Sequence, residues 1–502
     1  MNLLEPLLGP IVGHTTEESV RLWARGYPRT LGVVRYRRST ERGFIATRTF
    51  TISAECDHTG TVDIGGLESG CEYQYQLGFV DPGDDAGLVA AAIESGEITL
   101  NWNKQPNWAD SKPAANRFRT FPEDGNATTF IVGSCRHHGL GVLRRGDKAF
   151  KAIHQRRVQH GEENDFLLMI GDQVYTDMND RALIWFPLNL LPEPQNTLEG
   201  FFGKYQRNYG SRYFRKVLRR TSAYMMMDDH EVVNNWEPAL FEGDGKYAGQ
   251  QHIRDFGLQA YNAYQVSHSP AANTGRYWYQ FAHGPCDFFV LDVRSERDRL
   301  HSRQIGVEQF EALRSWLQDG SERVKFVVSP VPMFPDTVGK EQGGWGEPED
   351  KWTGFAKQRE EILELIRARP NHRTVMLSGD VHCSFIAELK HDHDPEFRCY
   401  NVISSAFNWV VFGLRRRDFR IEQPLLAHDG QVSPYRVGLA CGTWDGHFHQ
   451  VNNYARLQVL KGEYGMELRV VYRDDRGALL EDTTIYLDKL LEPVSKSVGS
   501  SS

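Results

Sequence analysis

Residues 165–175 read DFLLMIGDQVY: an apolar run from Phe166 to Ile170, then Gly171 and Asp172, then Tyr175 three residues later. A run this short and apolar suits a strand buried on both faces. The glycine permits a tight turn, and the carboxylate after it can project past the sheet edge. The unit recurs along the chain: TFIVGSC ends at Cys135, SAYMMMDDHE at Glu231, DFFVLDVR at Arg294, KFVVSPVP at Pro332 and TVMLSGDVH at His382. Between these runs the spacing turns helical, as in Phe310, Leu313 and Leu317 or around Ile362, Leu363 and Ile366. Strands alternating with helices predict a layered α/β domain over residues 123–492. In such sheets ligands collect outside the carboxyl ends of the strands, so Cys135, Asp172, Asp228, Asp229, His230 and Asp380 are expected to converge there.

Residues 1–122 have a different character, with short β-rich runs such as SVRLWARG, LGVVRYRR and ATRTFTISAE. In CEYQYQLGF the residues Cys71, Tyr73, Tyr75, Leu77 and Phe79 fall on one face and Glu72, Gln74 and Gln76 on the other, which predicts a half-buried strand. The lead-in from Gly66 to Gly70 is similar to the corner that opens a late strand in fibronectin type III and immunoglobulin-like sandwiches. From about Asp81 to Pro113 the pattern dissolves, predicting an irregular excursion before a last strand in ANRFRTF. Residues 493–502, ending SVGSSS, are too poor in apolar groups to pack and are expected to be disordered.

The 502 residues suffice for more than one core, and a net charge of -8 gives no global basic field to recruit nucleic acid or anionic membrane. No apolar run is long enough for a membrane span, and the opening MNLLEPLLGP lacks the basic start of a signal peptide. Seven scattered cysteines form neither a disulfide framework nor a zinc knuckle. These features predict a cytoplasmic protein in a reducing compartment, with no membrane span and with the oligomeric state open.

Three strand ends carry the candidate chemistry. Asp172 could bridge two cations, and Tyr175 could place a phenolate on a hard trivalent ion such as ferric iron, although Gly-Asp is also a common turn and a nearby tyrosine is usually packing. Asp228-Asp229-His230-Glu231 with Asn234-Asn235 crowds ionisable and amide groups behind Met225-Met226-Met227, which calls for a cation, caps a helix N-terminus, or does both. Asp380 and His382 lie two residues apart, suited to a metal pair or to a surface turn. Independent turns explain one such cluster more easily than three. Cys135 ends a strand in the same topological place, so its thiolate could complete a ligand set for iron or zinc. Its neighbours Arg136, His137 and His138 would lower its pKa or form a basic wall for phosphate.

In order along the chain, GSCRHH, IGDQVYTD, DDHEVVNNW, FVLDVRSERD, DKWTGF with Arg359, and LSGDVHCS resemble the landmarks of the PhoD-like alkaline phosphatases, within the calcineurin-like metallophosphoesterase superfamily. The resemblance implies an N-terminal immunoglobulin/fibronectin-like β-sandwich followed by an α/β/β/α catalytic domain. It implies that Cys135, Asp172 and Tyr175, with Asp380 or His382, hold ferric iron, while Asp172, Asp229 and Asn235 help hold calcium or another divalent ion such as zinc, manganese or magnesium. The purple acid phosphatases likewise pair an aspartate with a tyrosine three residues on. Where the wider superfamily begins with Asp-x-His this chain has Cys135-Arg136-His137, the PhoD-like form.

The expected reaction is hydrolysis of a small phosphate ester by in-line attack of a metal-bound hydroxide, without a covalent phosphoenzyme. In it His230 protonates the leaving group or orients the phosphate, Asp229 stands beside it, and Arg294 and Arg136 are candidate anion clamps. Two alternatives are a phosphodiesterase or phospholipase D-like activity on a larger diester, and a non-enzymatic binding protein with a vestigial metal site. Nucleic acid is not expected as a partner except as a possible substrate.

Overall fold

The computed structural model describes residues 1–102, 116–123, 125–137, 147–178, 194–371, 373–409, 413–428, 432–440 and 447–488; the expected disordered tail lies outside them. At the start stand β1 (Leu8–Thr15), β2 (Val20–Arg25), β3 (Leu31–Arg38), β4 (Ala46–Phe50), β5 (Thr59–Ile64) and β6 (Glu72–Val80). Helix α1 (Ala86–Glu94) and β7 (Arg117–Arg119) complete this part. The strands pair as β1-β2-β5 and β4-β3-β6-β7. One apolar core joins the two sheets: Val12, Leu22 and Ile64 from the first meet Val34, Tyr73, Tyr75, Leu77 and Phe79 from the second. The alternation in β6 thus has the expected face inward, with Cys71 half-buried at its start. Helix α1 corrects the expected irregular excursion: Asp85 accepts a hydrogen bond from the Leu88 amide, and an alanine-rich stretch follows.

After Phe121 strands and helices alternate, through β8 (Ala127–Arg136), α2 (Lys148–His160), β9 (Phe166–Ile170), α3 (Leu198–Tyr209), α4 (Arg212–Leu218), β10 (Ser222–Met226) and α5 (Gln251–Tyr264). A second series follows: β11 (Tyr279–His283), β12 (Cys286–Val290), α6 (Val307–Leu317), β13 (Val324–Val328), α7 (Ala356–Arg367) and β14 (Thr374–Ser378). The rest is strand: β15 (Phe385–His391), β16 (Asp394–Ile403), β17 (Ser405–Asn408), β18 (Pro424–Leu426), β19 (Val432–Leu439), β20 (Asn453–Gly462), β21 (Gly465–Asp474) and β22 (Leu479–Tyr486).

The six apolar runs all form strands, and they divide between two sheets. The first runs β10-β9-β8-β20-β21-β22, with β17 also on β8, and its β8, β9 and β10 are parallel. The second runs β11-β12-β13-β14-β16-β15-β19-β18, with β12, β13, β14 and β16 parallel. The sheets face each other through aromatic rings: Phe130 and Phe166 of the first lie edge-on to Phe288 of the second, each at 5.3 Å between centroids. In β12 Phe288 belongs to this shared core, whereas Phe289 packs outward with Phe310 and Leu313 of α6 and Ile362 and Leu363 of α7. Burial on both faces is why these strands read as unbroken apolar runs. Truncating a ring such as Phe166 to alanine would cost about 3–5 kcal/mol.

The N-terminal sheets attach through β1 and β2. Thr15 Oγ1 lies 2.8 Å from Ser222 Oγ, and Trp23 Nε1 donates to the Ala263 carbonyl at 2.9 Å. Among the described residues no helix is long and apolar enough to cross a membrane.

Candidate metal centre

The carboxyl ends of β8, β9, β10 and β14 meet where the two sheets abut. Gly171 has φ +90°, and a Cβ there would stand 2.6 Å from Asp228 Cβ; a Cβ on Gly379 would meet Ser134 Oγ at 2.3 Å. The glycines of the Gly-Asp motifs therefore do more than turn the chain, since they let neighbouring strand ends close on one another. Five of the expected ligands, Cys135, Asp172, Asn235, Asp380 and His382, have φ between 54° and 67°, the left-handed region. Each such non-glycine residue costs about 1–3 kcal/mol and persists only where its surroundings hold it.

Glu231 supplies much of that hold. Its buried carboxylate accepts from the amides of Asp172, Gln173, Val174 and Asp228, tying the loop after β9 to the loop after β10. The alternative of a helix N-terminus at this cluster is corrected, because residues 228–236 form turns and the next α-helix is α5.

Asp172 is central. Its Oδ2 lies 3.5 Å from Cys135 Sγ and 3.2 Å from the Tyr175 hydroxyl, while Oδ1 accepts from the His230 amide at 3.3 Å. Two groups of ligand atoms, each lying within 4.8 Å of one another, share it: Cys135, Asp172 and His382, and Asp172, Asp229 and His230. His382 Nε2 stands 3.4 Å from the Tyr175 hydroxyl, whereas Asp380 Oδ2 turns to Lys351 Nζ at 2.7 Å. Asn235 donates its amide to Asp229 Oδ2 at 2.5 Å and its side-chain NH2 to Glu347 Oε2 at 3.2 Å, which leaves its own Oδ1 as an oxygen donor. A cavity of about 330 Å³ opens above these groups, lined also by Trp345, Trp409 and Leu414.

His230 directs Nδ1 to Asp177 Oδ1 at 2.8 Å, and the other Asp177 oxygen accepts from the Asn234 amide. Burial lowers the pKa of His230, but Asp177, Asp229 and Asp172 outweigh it and raise it well above the usual range. Burial pulls His382 the other way, to about 3, helped by His230 and Lys351. Burial and then Asp172 push the Cys135 thiol and the Tyr175 hydroxyl well above their ordinary values, and burial and then Asp229 do the same to Asp172. A nearby cation would lower the raised values of Cys135, Tyr175 and Asp172 and bind the already neutral His382, so the donor set fits a bound metal.

The expected lowering of the Cys135 pKa is thereby corrected. Arg136 faces away from the site, with its guanidinium over the Phe214 ring and donating to the Asn208 carbonyl at 3.1 Å. His137 lies beside Tyr175, and His138 lies outside the described residues. Neither guanidinium is among the residues lining the cavity: Arg294 is buried and engaged by Asp228 at 2.5 Å and by both oxygens of Asp350. The sequence reading missed Asp177, Glu347 and Lys351 as site residues. Asp177 and Lys351 stand inside the quoted IGDQVYTD and DKWTGF stretches, which was the available signal.

A PhoD-like phosphatase family model matches residues 130–409, more than half of the chain and including every candidate ligand. Alkaline phosphatase D of Bacillus subtilis (strain 168) is 25% identical over 193 residues, which is 33% of this chain and only 32% of that protein's length. A solved structure of PhoD superposes with a TM-score of 0.69 at 18% identity, covering 98% of this chain and 92% of the other. A purple acid phosphatase from yellow lupin (Lupinus luteus) seeds gives 0.57 at 13% identity, covering 95% and 74%. The two structures bear on the fold, and the family follows from the long matched span together with the ligand groups inside it: the chain belongs to the PhoD-like phosphatase family.

Proposed function

We propose that the chain is a metal-dependent phosphoric ester hydrolase of the alkaline phosphatase type, acting on small phosphate esters by in-line attack of water, without a covalent phosphoenzyme. One observation carries the reading: Asp172 belongs to both groups of potential ligands, so a single carboxylate serves two adjacent cation positions. Cys135, Asp172, Tyr175 and His382 would hold ferric iron, since thiolate and phenolate suit that ion, and Asp380 is left to Lys351. Asp172, Asp229 and Asn235 would hold calcium or another divalent ion, with His230 beside them. When bound, the cations supply the Lewis acidity that makes water nucleophilic near neutral pH.

The chain's own part is positional. Glu231 fixes the loops after β9 and β10, and Asp177 occupies Nδ1 of His230, leaving Nε2 to give a proton to the leaving oxygen. A cavity of about 330 Å³ lies at the small end for ligand sites and favours a small ester over a bulky diester. Residues 1–122 are taken as an immunoglobulin/fibronectin-like β-sandwich, on the strength of their own apolar core, and residues 123–492 as the α/β/β/α catalytic domain.

The test is hydrolysis of p-nitrophenyl phosphate before and after chelation, with iron and calcium restored singly and together. Turnover lost on chelation and regained on restoration is expected. Metal-independent turnover, or none from fully loaded protein, would sink the reading.

A further inference from the structure

We propose that Lys351 is a phosphate-binding residue that makes this site select doubly charged phosphate monoesters over singly charged diesters, an inference that rests on the hydrolase reading above. Among the described residues lining the cavity, Lys351 is the only lysine or arginine. Its side chain is 5% exposed, held between Asp380 Oδ2 at 2.7 Å and Asp350 Oδ2 at 3.0 Å. These contacts engage two of the three donors of an ammonium group, on a side chain that lines the cavity.

The two carboxylates do not cancel its charge one for one. Asp350 also accepts from Arg294 and Arg297, so three cations share it. The ammonium is therefore not Asp350's sole partner, and it lines the same cavity as His230 and Asp172. A fixed point charge at hydrogen-bond distance from a phosphate attracts a dianion more than a monoanion, and it does so most strongly in a site this buried.

The experiment compares kcat/KM for p-nitrophenyl phosphate and bis(p-nitrophenyl) phosphate in the parent and in Lys351→Met, at matched metal content. The monoester-to-diester ratio is expected to fall about tenfold in the variant. A structural role alone would lower both activities together, and an unchanged ratio overturns the proposal. If Lys351→Met does not fold, Lys351→Gln, which keeps a donor and loses the charge, decides in its place. Calorimetric titration of inorganic phosphate reads the same contact without turnover: weaker binding in the variant supports it, and equal affinity overturns it. A parent that cleaves neither ester overturns the hydrolase reading, and the phosphate titration then decides Lys351 by itself.

Discussion

Asp350 is buried as deeply as Asp172, at 3% and 2% exposure, yet the two carboxylates are compensated in different ways. Arg294 spans Asp228 and both oxygens of Asp350, and Arg297 and Lys351 close on Asp350 as well. Against the effect of burial, Arg294, Lys351 and Arg297 hold Asp350 well below the usual carboxylate range. Asp172 is instead pushed well above that range by burial and then by Asp229, Asp228 and Glu231, with His230 as the favourable neighbour. Where the fold needs a closed charge pair, the chain supplies the guanidinium itself. Where it leaves acids facing acids, the missing charge must come from outside.

The largest expected effect breaks the open cluster. Asp172→Ala should cost several kcal/mol of transition-state stabilisation, about a thousandfold in kcat/KM, while far-UV circular dichroism and the unfolding midpoint stay near the parent's. A folded variant within tenfold of parental activity would refute the bridging role. Breaking the closed cluster should act on stability first: Arg294→Ala strands Asp228 and Asp350 and should cost about 3–5 kcal/mol in denaturant unfolding. If both substitutions destabilise equally, the distinction between the clusters is lost.

A finer probe tests which cation the open cluster takes. Iron-loaded parent should show a visible charge-transfer band that Tyr175→Phe removes or shifts at matched iron content, and Cys135→Ser should retain less iron. Identical spectra and activity for parent and Tyr175→Phe would reduce the tyrosine to packing.

The smallest effect concerns two histidines hydrogen-bonded to neutral groups, His14 to the Tyr224 hydroxyl and His268 to the Tyr264 carbonyl. At the junction of the N-terminal sheets, burial holds His14 and His268 neutral, each lowered to about 4. The unfolded chain takes up these protons below about pH 6.5 and the folded one only near 4. Their contribution is thus complete above 6.5 and is lost progressively as the pH falls to 4. His268→Gln should flatten that part of the stability-pH curve, and an unaltered slope would count against the assignment.

Much of this could be read from local sequence. Apolar runs of five or six residues ending in Gly-Asp, Asp-Asp-His or Cys announce buried strands with ligands at their ends, because strand burial and turn chemistry depend on neighbours a few residues apart. The early runs SVRLWARG, LGVVRYRR and CEYQYQLGF were legible as strands for the same reason. What the tertiary structure alone decided depends on segments far apart in the chain. The six runs split between two sheets, and β20 entered the first beside β8, more than 300 residues earlier. Arg136 and Arg294 carry the same charge in sequence, but packing aimed one at Phe214 and closed the other on Asp228 and Asp350. The thiol of Cys135 stands next to an arginine in sequence, but in space it is buried and next to Asp172, and burial and then that carboxylate raise its proton affinity. Electrostatics act through space and in proportion to burial, and neither the distances nor the burial exist until the sheets have met.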